Sequence, residues 1–258
     1  MVKIDALSVG KGKNGNEDNY GYRNHDFVIA DGATDKSGRL YCGKTGGEIV
    51  SGIVVDYSLW SGKNGIPLVK GINDVVSKLY EDLRITEDVK DPKYRFTCGF
   101  VCARLVDDRL VITYLGDLGF RVNGGNVYRE VKQVDILSSE KRSRYIKDTR
   151  DVEGSRNHIM PMLLRQFDYQ NNPEHELGYG VIDGTETPEK FVRVFEFKSE
   201  NIKTLELFTD GYFKIPEEAS ISGWEKAHQE VEKEDPYKFL KYRAAKVKDD
   251  RTVMIIEF

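Results

Sequence analysis

The sequence predicts an α+β fold in which antiparallel β-sheets are covered by helices. Eight segments are rich in β-branched and aromatic residues, as strands are, and separate segments carry apolar residues at helical spacing. Strands come first, then a helix pair, more strands, and a final strand–helix–strand unit, an order that differs from the alternation of a parallel sheet. The 258 residues are 39% hydrophobic and include 14 Tyr and 12 Phe, enough for a substantial core.

The predicted strands are separated by short polar turns, and no repeat or low-complexity linker divides the chain, so we expect a single domain over 1–258. Turn residues at 106–109 and 123–126 join neighbouring strands and predict an antiparallel meander over 96–131. The strand segments are 4–9, 26–30, 96–106, 109–116, 119–124, 191–197, 204–209 and 251–258.

Helices are predicted on both sides of this meander. The segment 44–60 follows a glycine-rich entry, and 66–88 places apolar residues at helical spacing. The tail 224–246 is expected to hold one or two more helices, the second beginning at Pro236. The charged region 132–180 has no clear period, and we interpret it as an inserted, flap-like helical or mobile segment over the sheet.

Composition argues against several classes of function. The formal net charge of −4 gives no electrostatic basis for binding nucleic acid or an anionic membrane. Cys42, Cys98 and Cys102 form no CxxC pair, which argues against a disulfide framework or a zinc ribbon and favours reduced thiols in a cytoplasmic protein. The first residues lack the apolar core of a secretory signal, and no stretch is apolar enough to span a membrane.

Acidic residues recur where predicted strands end or begin. Each alone is typical of an ordinary turn, but acidic groups at the same kind of strand terminus can converge on one edge of a sheet pair. Crowded carboxylates repel one another, and a hard divalent cation relieves that repulsion. Oxygen ligands without His or Cys favour Mg²⁺ or Mn²⁺ over zinc. The residues are Glu17, Asp18, Asp31, Asp117, Asp210, Asp249 and Asp250.

The order of the motifs NED, VIADGA, GD, LFTDG and DDRTV resembles that of the metal-dependent type 2C (PPM) serine/threonine protein phosphatases over most of the chain. The resemblance implies a divergent, bacterial-like member with a four-layer αββα sandwich and a binuclear site for Mn²⁺ or Mg²⁺. One ion would be held by Glu17, Asp31 and the carbonyl of Gly32. The other would be held by Asp31, Asp210 and Asp249, so that Asp31 bridges the two ions.

The same resemblance implies hydrolysis of phosphoserine and phosphothreonine in proteins by a hydroxide that bridges the two ions, without a phosphoenzyme. Asp31 would be the bridging catalytic residue. Lys13 stands where the family has a phosphate-gripping arginine, and it lacks the bidentate fork of that side chain. Asp18 and Asp250 would support the ligands, directly or through water. The implied partners are phosphorylated proteins, a Ser/Thr kinase or its targets, and the chain is expected to be a monomer.

Further positions depart from the pattern of the family. Ala33 replaces the histidine associated with protonation of the leaving group, so water, Asp35 or His158 would have to act as the acid. Lys214 replaces an acidic residue that helps hold a third metal in many bacterial relatives. Asp117 then remains as a candidate for a third site, which we expect to be weak or absent.

Three alternatives stay open at this point. The segment Gly38–Thr45 matches the P-loop pattern of NTPases, although a polar turn rather than a strand precedes it and Gly46 and Gly47 follow it. If this segment is not a nucleotide site, Lys44 and Thr45 would lie at a helix N-terminus, with Thr45 as its cap. The departures from the family also allow a phosphatase of the same fold that acts on a small metabolite, or a weakly active member that serves as a regulatory module.

Overall fold

The architecture is built on two five-stranded antiparallel sheets, seen in a computed structural model that describes residues 2–12, 15–33 and 38–258. The first sheet contains, in spatial order, β1 (Lys3–Val9), β10 (Arg251–Glu257), β9 (Thr204–Phe208), β6 (Gly119–Val122) and β7 (Val127–Arg129). The second sheet contains β2 (Asp18–Arg23), β3 (Asp26–Ala33), β4 (Thr97–Val106), β5 (Arg109–Leu115) and β8 (Arg193–Lys198).

Helices complete the outer layers. The described helices are α1 (Gly46–Ser61), α2 (Gly65–Asp82), α3 (Gln133–Thr149), α4 (Ser155–Arg165) and α5 (Ile221–Glu234). Side chains alternate along each strand, so β3 sends Val28 toward α1 and α2, and Phe27 and Ile29 into the core between the sheets. On the other side, Trp224 of α5 packs against Phe208 of the first sheet. This arrangement confirms the α+β class and the four-layer αββα sandwich.

The charged region 132–180 contains α3 and α4, which confirms the helical part of its interpretation. Arg142 of α3 is buried and donates hydrogen bonds at 3.0 Å to the backbone carbonyls of Tyr237, Lys238 and Ala244. All three carbonyls lie around one guanidinium nitrogen, Nη1, which shares its two N–H groups among them. Arg156 of α4 donates 2.7 Å to the carbonyl of Ala245, so both helices are tied to the loop that precedes β10.

The predicted meander over 96–131 is wrong in its second half. β4 and β5 form a hairpin in the second sheet, but β6 and β7 belong to the first sheet. The chain crosses between the sheets at Gly116, which has φ +104, a backbone conformation that side chains with a Cβ rarely adopt. A Cβ at Gly116 would also lie 3.0 Å from the Cα of Gly99.

The predicted helix beginning at Pro236 is also wrong, and α5 ends at Glu234. The carboxylate of Asp235 accepts hydrogen bonds from the backbone amides of four later residues, and this fixes a loop instead. The donors are Phe239, Leu240, Lys241 and Tyr242. No helix in the described ranges is both long enough and apolar enough to cross a membrane.

Candidate functional site

A cavity of about 960 Å³ opens at one edge of the two sheets, beneath α3 and α4. The sheet register brings the predicted residues there from distant parts of the sequence. Asp18 of β2 pairs with Asp31 of β3, while Asp210 follows β9 and Asp250 precedes β10 in the other sheet. Among the predicted residues, those in the cavity wall are Glu17, Asp31, Gly32, Asp117, Asp210 and Asp249.

Close backbone packing positions Asp31, Gly32 and Glu17. The Gly32 amide donates a hydrogen bond of 3.1 Å to the carbonyl oxygen of Glu17. A Cβ on Gly32 would lie 2.3 Å from the carbonyl oxygen of Gly47 at the start of α1, so only glycine fits there. The end of β3, the NED segment and the N-terminus of α1 therefore meet at one point.

Asp18 joins the two sheets below the cavity. One of its oxygens, Oδ2, accepts hydrogen bonds of 2.8 Å from the hydroxyls of Thr209, directly after β9, and Thr252, the second residue of β10. The other oxygen, Oδ1, is buried and has no hydrogen-bond partner among the described residues. Burial, partly offset by the two threonines, raises the pKa of Asp18 to about 8.

Asp31 and Asp210 form the centre of the group. Burial and the neighbouring charge of Asp210 hold the pKa of Asp31 well above its usual value. Burial would also raise the pKa of Asp210, but the positive charges of Lys246 and Arg129 and a hydrogen bond from Asp31 lower it overall. Within this pair, Asp31 therefore keeps its proton more readily and Asp210 ionises more readily.

Three lysines pair with the remaining carboxylates. Lys11 Nζ lies 2.7 Å from Glu17 Oε2 and 2.8 Å from Asp250 Oδ2. Lys132 Nζ lies 2.9 Å from Asp117 Oδ2. Lys246 forms an ion pair with Asp249 Oδ2. Burial and the charge of Asp210 raise the pKa of Asp249 to about 7, although Lys246 opposes this shift. The sequence interpretation missed all three lysines.

The carboxylates have the chemistry of a site for hard divalent ions. They supply hard oxygen donors, which Mg²⁺ and Mn²⁺ prefer. The raised pKa of Asp31 and the orphaned Asp18 Oδ1 both indicate a deficit of positive charge at this edge. In the side-chain arrangement present here, no three Asp, Glu, His or Cys residues of the described ranges are grouped so that they could hold an ion. Lysines and hydrogen bonds occupy several of the carboxylate oxygens instead.

Thr45 has a structural role in place of the predicted P-loop role. Its hydroxyl accepts a hydrogen bond from the Glu48 amide, and Glu48 Oε2 accepts one from the Thr45 amide, so the two form a capping box for α1. The same hydroxyl donates 2.8 Å to Glu17 Oε1. The strand before this segment, β3, pairs antiparallel with both of its neighbours, whereas a P-loop belongs to the βαβ units of a parallel sheet. The P-loop alternative is therefore wrong, and the predicted cap is confirmed.

The structure also locates several of the departures from the family pattern. Lys214 forms an ion pair of 2.5 Å with Glu230 of α5. His158 is exposed and stacks on Tyr145 with 4.3 Å between ring centroids, and it is not part of the cavity wall. Lys13 and Asp35 lie outside the described residues. Of the acids considered for the leaving group, His158 is therefore not supported.

Comparison with known proteins shows which solved structures resemble the whole chain. No protein-family model and no curated protein matches the sequence. Among solved structures, the serine/threonine phosphatase Stp1 from Staphylococcus aureus is 16% identical, with 100% of this chain and 95% of that chain covered and a TM-score of 0.56. The serine/threonine phosphatase PstP/Ppp from Mycobacterium tuberculosis is 14% identical, with 100% and 98% covered and a TM-score of 0.55.

A third structure is the catalytic domain of the serine/threonine protein phosphatase PstP in complex with two manganese ions. It is 14% identical, with 99% of this chain and 97% of that chain covered and a TM-score of 0.55. The TM-scores show a similar fold, and identities this low show no more than the fold. The coverage shows that the similarity extends over the whole chain. The chain has the fold of the bacterial PPM serine/threonine phosphatases.

Proposed function

We propose that this protein is a metal-dependent phosphatase that hydrolyses phosphoserine and phosphothreonine in proteins. The observation that carries the proposal is the convergence of Asp31 from one sheet with Asp210 and Asp249 from the other in the wall of a single cavity. Carboxylates brought together in one cavity would repel one another without a compensating cation. The expected substrates are a Ser/Thr kinase or the proteins that such a kinase phosphorylates.

Two Mn²⁺ or Mg²⁺ ions would be held by the carboxylates already named. Glu17, Asp31 and the Gly32 carbonyl would bind one, and Asp31, Asp210 and Asp249 would bind the other. When bound, such ions activate water as a nucleophile and neutralise the charge of a phosphoryl group. The PstP structure with two manganese ions has the same fold, which supports the expectation of two ions.

Basic side chains of this chain would orient the phosphate. Arg129 lines the cavity, and its guanidinium donates to the carbonyls of Asp210 and Tyr212 at 3.2 and 2.8 Å, which fixes its position beside the carboxylates. Arg156 and Lys248 also line the cavity. Positive charge held in a partly enclosed cleft attracts anionic substrates and stabilises the charge that develops during phosphoryl transfer.

A weakly active regulatory member of the same fold is the second candidate. Lys132 pairs with Asp117, and Lys214 pairs with Glu230. Neither Asp117 nor Lys214 is therefore arranged to support a third ion. Ala33 cannot donate a proton to a leaving group. A phosphatase of the same fold that acts on small metabolites is the remaining option. A preference for small phosphate esters over a phosphopeptide would distinguish it from a protein phosphatase.

The test measures hydrolysis of p-nitrophenyl phosphate and of a phosphothreonine peptide while Mn²⁺ is titrated, with EDTA as the reversal. We expect activity that requires the metal and that falls by about 100-fold or more in Asp210→Asn, since a lost ligand weakens the ion and its charge stabilisation. Asp56→Asn, which changes an exposed residue of α1, is the matched control and should behave like the wild type. Absence of turnover with any divalent metal would favour the regulatory candidate, and turnover in EDTA would contradict the proposal.

A further inference from the structure

Lys11 holds the position beside Glu17 that a cation is expected to take. Its ammonium donates to Glu17 Oε2 and to Asp250 Oδ2, at 2.7 and 2.8 Å. Both carboxylates are almost fully buried, with 4% and 3% of their side-chain surface exposed, whereas 34% of the Lys11 side chain is exposed. One partly exposed ammonium therefore bridges a buried pair of carboxylates.

Lys246 makes the equivalent contact at the second predicted ion. It forms an ion pair with Asp249, whose side chain is 8% exposed, while 38% of the Lys246 side chain remains accessible. Each of the two expected metal positions thus has one lysine bound to a carboxylate that belongs to it.

An ammonium and a divalent ion compete for the same carboxylate lone pairs. An oxygen that accepts a hydrogen bond at 2.7 Å from a lysine cannot simultaneously direct that lone pair at a metal, and the two positive charges repel at such short distances. Lysine has a long flexible stem, and its partial exposure lets the charged end move to water when it is displaced.

We propose that Lys11 and Lys246 are internal counter-ions that occupy the two metal positions and must be displaced for metal to bind. The inference rests on the proposed function, because it concerns the same carboxylates. The lysines stabilise the metal-free carboxylates and weaken metal binding, so they set the metal concentration at which the site fills. Each lysine acts on its own position, Lys11 through Glu17 and Lys246 through Asp249.

The experiment measures Mn²⁺ binding directly, by electron paramagnetic resonance of free Mn²⁺ and by calorimetry, with no substrate present. The variants are Lys11→Met, Lys246→Met and the double variant. Lys3→Met is the matched control, because Lys3 also bridges two carboxylates, Asp5 and Glu257, but on the exposed face of β1. Since a hydrogen-bonded charge pair stabilises by a few kcal/mol, we expect each cavity variant to bind one of two ions roughly 10- to 100-fold more tightly than the wild type.

The outcomes separate this inference from the proposed function. Tighter binding in Lys11→Met and Lys246→Met, unchanged binding in Lys3→Met and additive gains in the double variant support the inference. If wild type and both cavity variants bind two ions equally well, the counter-ion role is overturned and the proposed function stands. An equal gain in Lys3→Met would reduce the effect to net charge and would also overturn the role. If no form of the protein binds Mn²⁺, both proposals fail.

A thermal measurement covers the case in which a cavity variant is unstable without metal. Removal of Lys11 leaves Glu17 and Asp250 buried without their ammonium partner, which lowers the stability of the metal-free protein. Mn²⁺ should then raise the melting temperature of Lys11→Met by more than it raises that of the wild type, because a tighter ligand stabilises the folded state more. An equal or smaller rise would overturn the inference.

Discussion

Replacement of Thr45 by valine removes one hydroxyl that serves both the fold and the candidate site. The hydroxyl caps α1 by accepting from the Glu48 amide at 3.2 Å, and it donates to Glu17 Oε1 at 2.8 Å. Loss of an N-cap costs about 1 kcal/mol. Loss of a hydrogen bond to a buried charged group costs about 1.5–3 kcal/mol more. The unfolding free energy of Thr45→Val should therefore fall by about 2.5–4 kcal/mol.

Ser220→Ala is a closely matched control. Ser220 caps α5 by accepting from the Gly223 amide at 3.0 Å, and its hydroxyl also donates to a glutamate, Glu218, at 2.6 Å. Glu218 is exposed, so water replaces the lost donor there and the expected cost is about 1 kcal/mol, that of the cap alone. The two variants differ mainly in whether the glutamate is buried.

The assay is urea-induced unfolding followed by circular dichroism in the absence of divalent metal. Thr45→Val should be less stable than Ser220→Ala by about 1.5–3 kcal/mol, and Thr45→Ser, which keeps the hydroxyl, should recover most of the loss. Equal losses in Thr45→Val and Ser220→Ala would refute the reasoning, because the bond to Glu17 would then contribute nothing beyond the cap.

Three further predictions concern nucleotide binding, pH and the core of the first sheet. The wild type should show no ATP binding by calorimetry, and Lys44→Ala should retain full phosphatase activity. ATP binding by the wild type that disappears in Lys44→Ala, together with its activity, would contradict this prediction. The folded state keeps protons on Asp18 and Asp249, with pKa values of about 8 and 7, that the unfolded chain releases near 3.8. The unfolding free energy of the metal-free protein should therefore decrease from about pH 5 to about pH 8.5, and a rise over that range in urea titrations would contradict the assignment. Glu206→Gln should lower the unfolding free energy by about 3–5 kcal/mol, since fully buried Glu206 accepts two bonds of 2.7 Å from Arg121; a loss below 1 kcal/mol would show that this pair does not stabilise the core.

Strands with a strong apolar pattern could be predicted from the sequence, and those without one could not. β4 and β10 have long runs of buried residues and lie within two residues of their predicted ends. β2 was missed because DNYGYR is polar, contains glycine and lies at the edge of its sheet, where several of its side chains are half-buried or exposed. Pairing was harder to predict than strand content, because the crossing at Gly116 depends on contacts between the sheets.

Convergence of the acidic residues could be predicted from recurrence and order, since each lies at a strand end. The structure brings Asp31, Asp210 and Asp249 to one cavity, although their roles as ligands stay a prediction. The lysine partners could not be predicted, because a single lysine in a polar loop is most often a solvated side chain. Lys11 meets Asp250 across 239 residues of sequence, a contact that only the pairing of β1 with β10 creates.

A crystal of the protein grown with Mn²⁺ and measured at the manganese absorption edge tests most directly whether these acidic side chains bind a pair of ions. The account predicts two anomalous peaks in the cavity, with Asp31 between them, Glu17 and the Gly32 carbonyl at one, and Asp210 and Asp249 at the other. Density for manganese elsewhere on the molecule, or lysine ammonium groups still bound to Glu17 and Asp249 at saturating Mn²⁺, would contradict it.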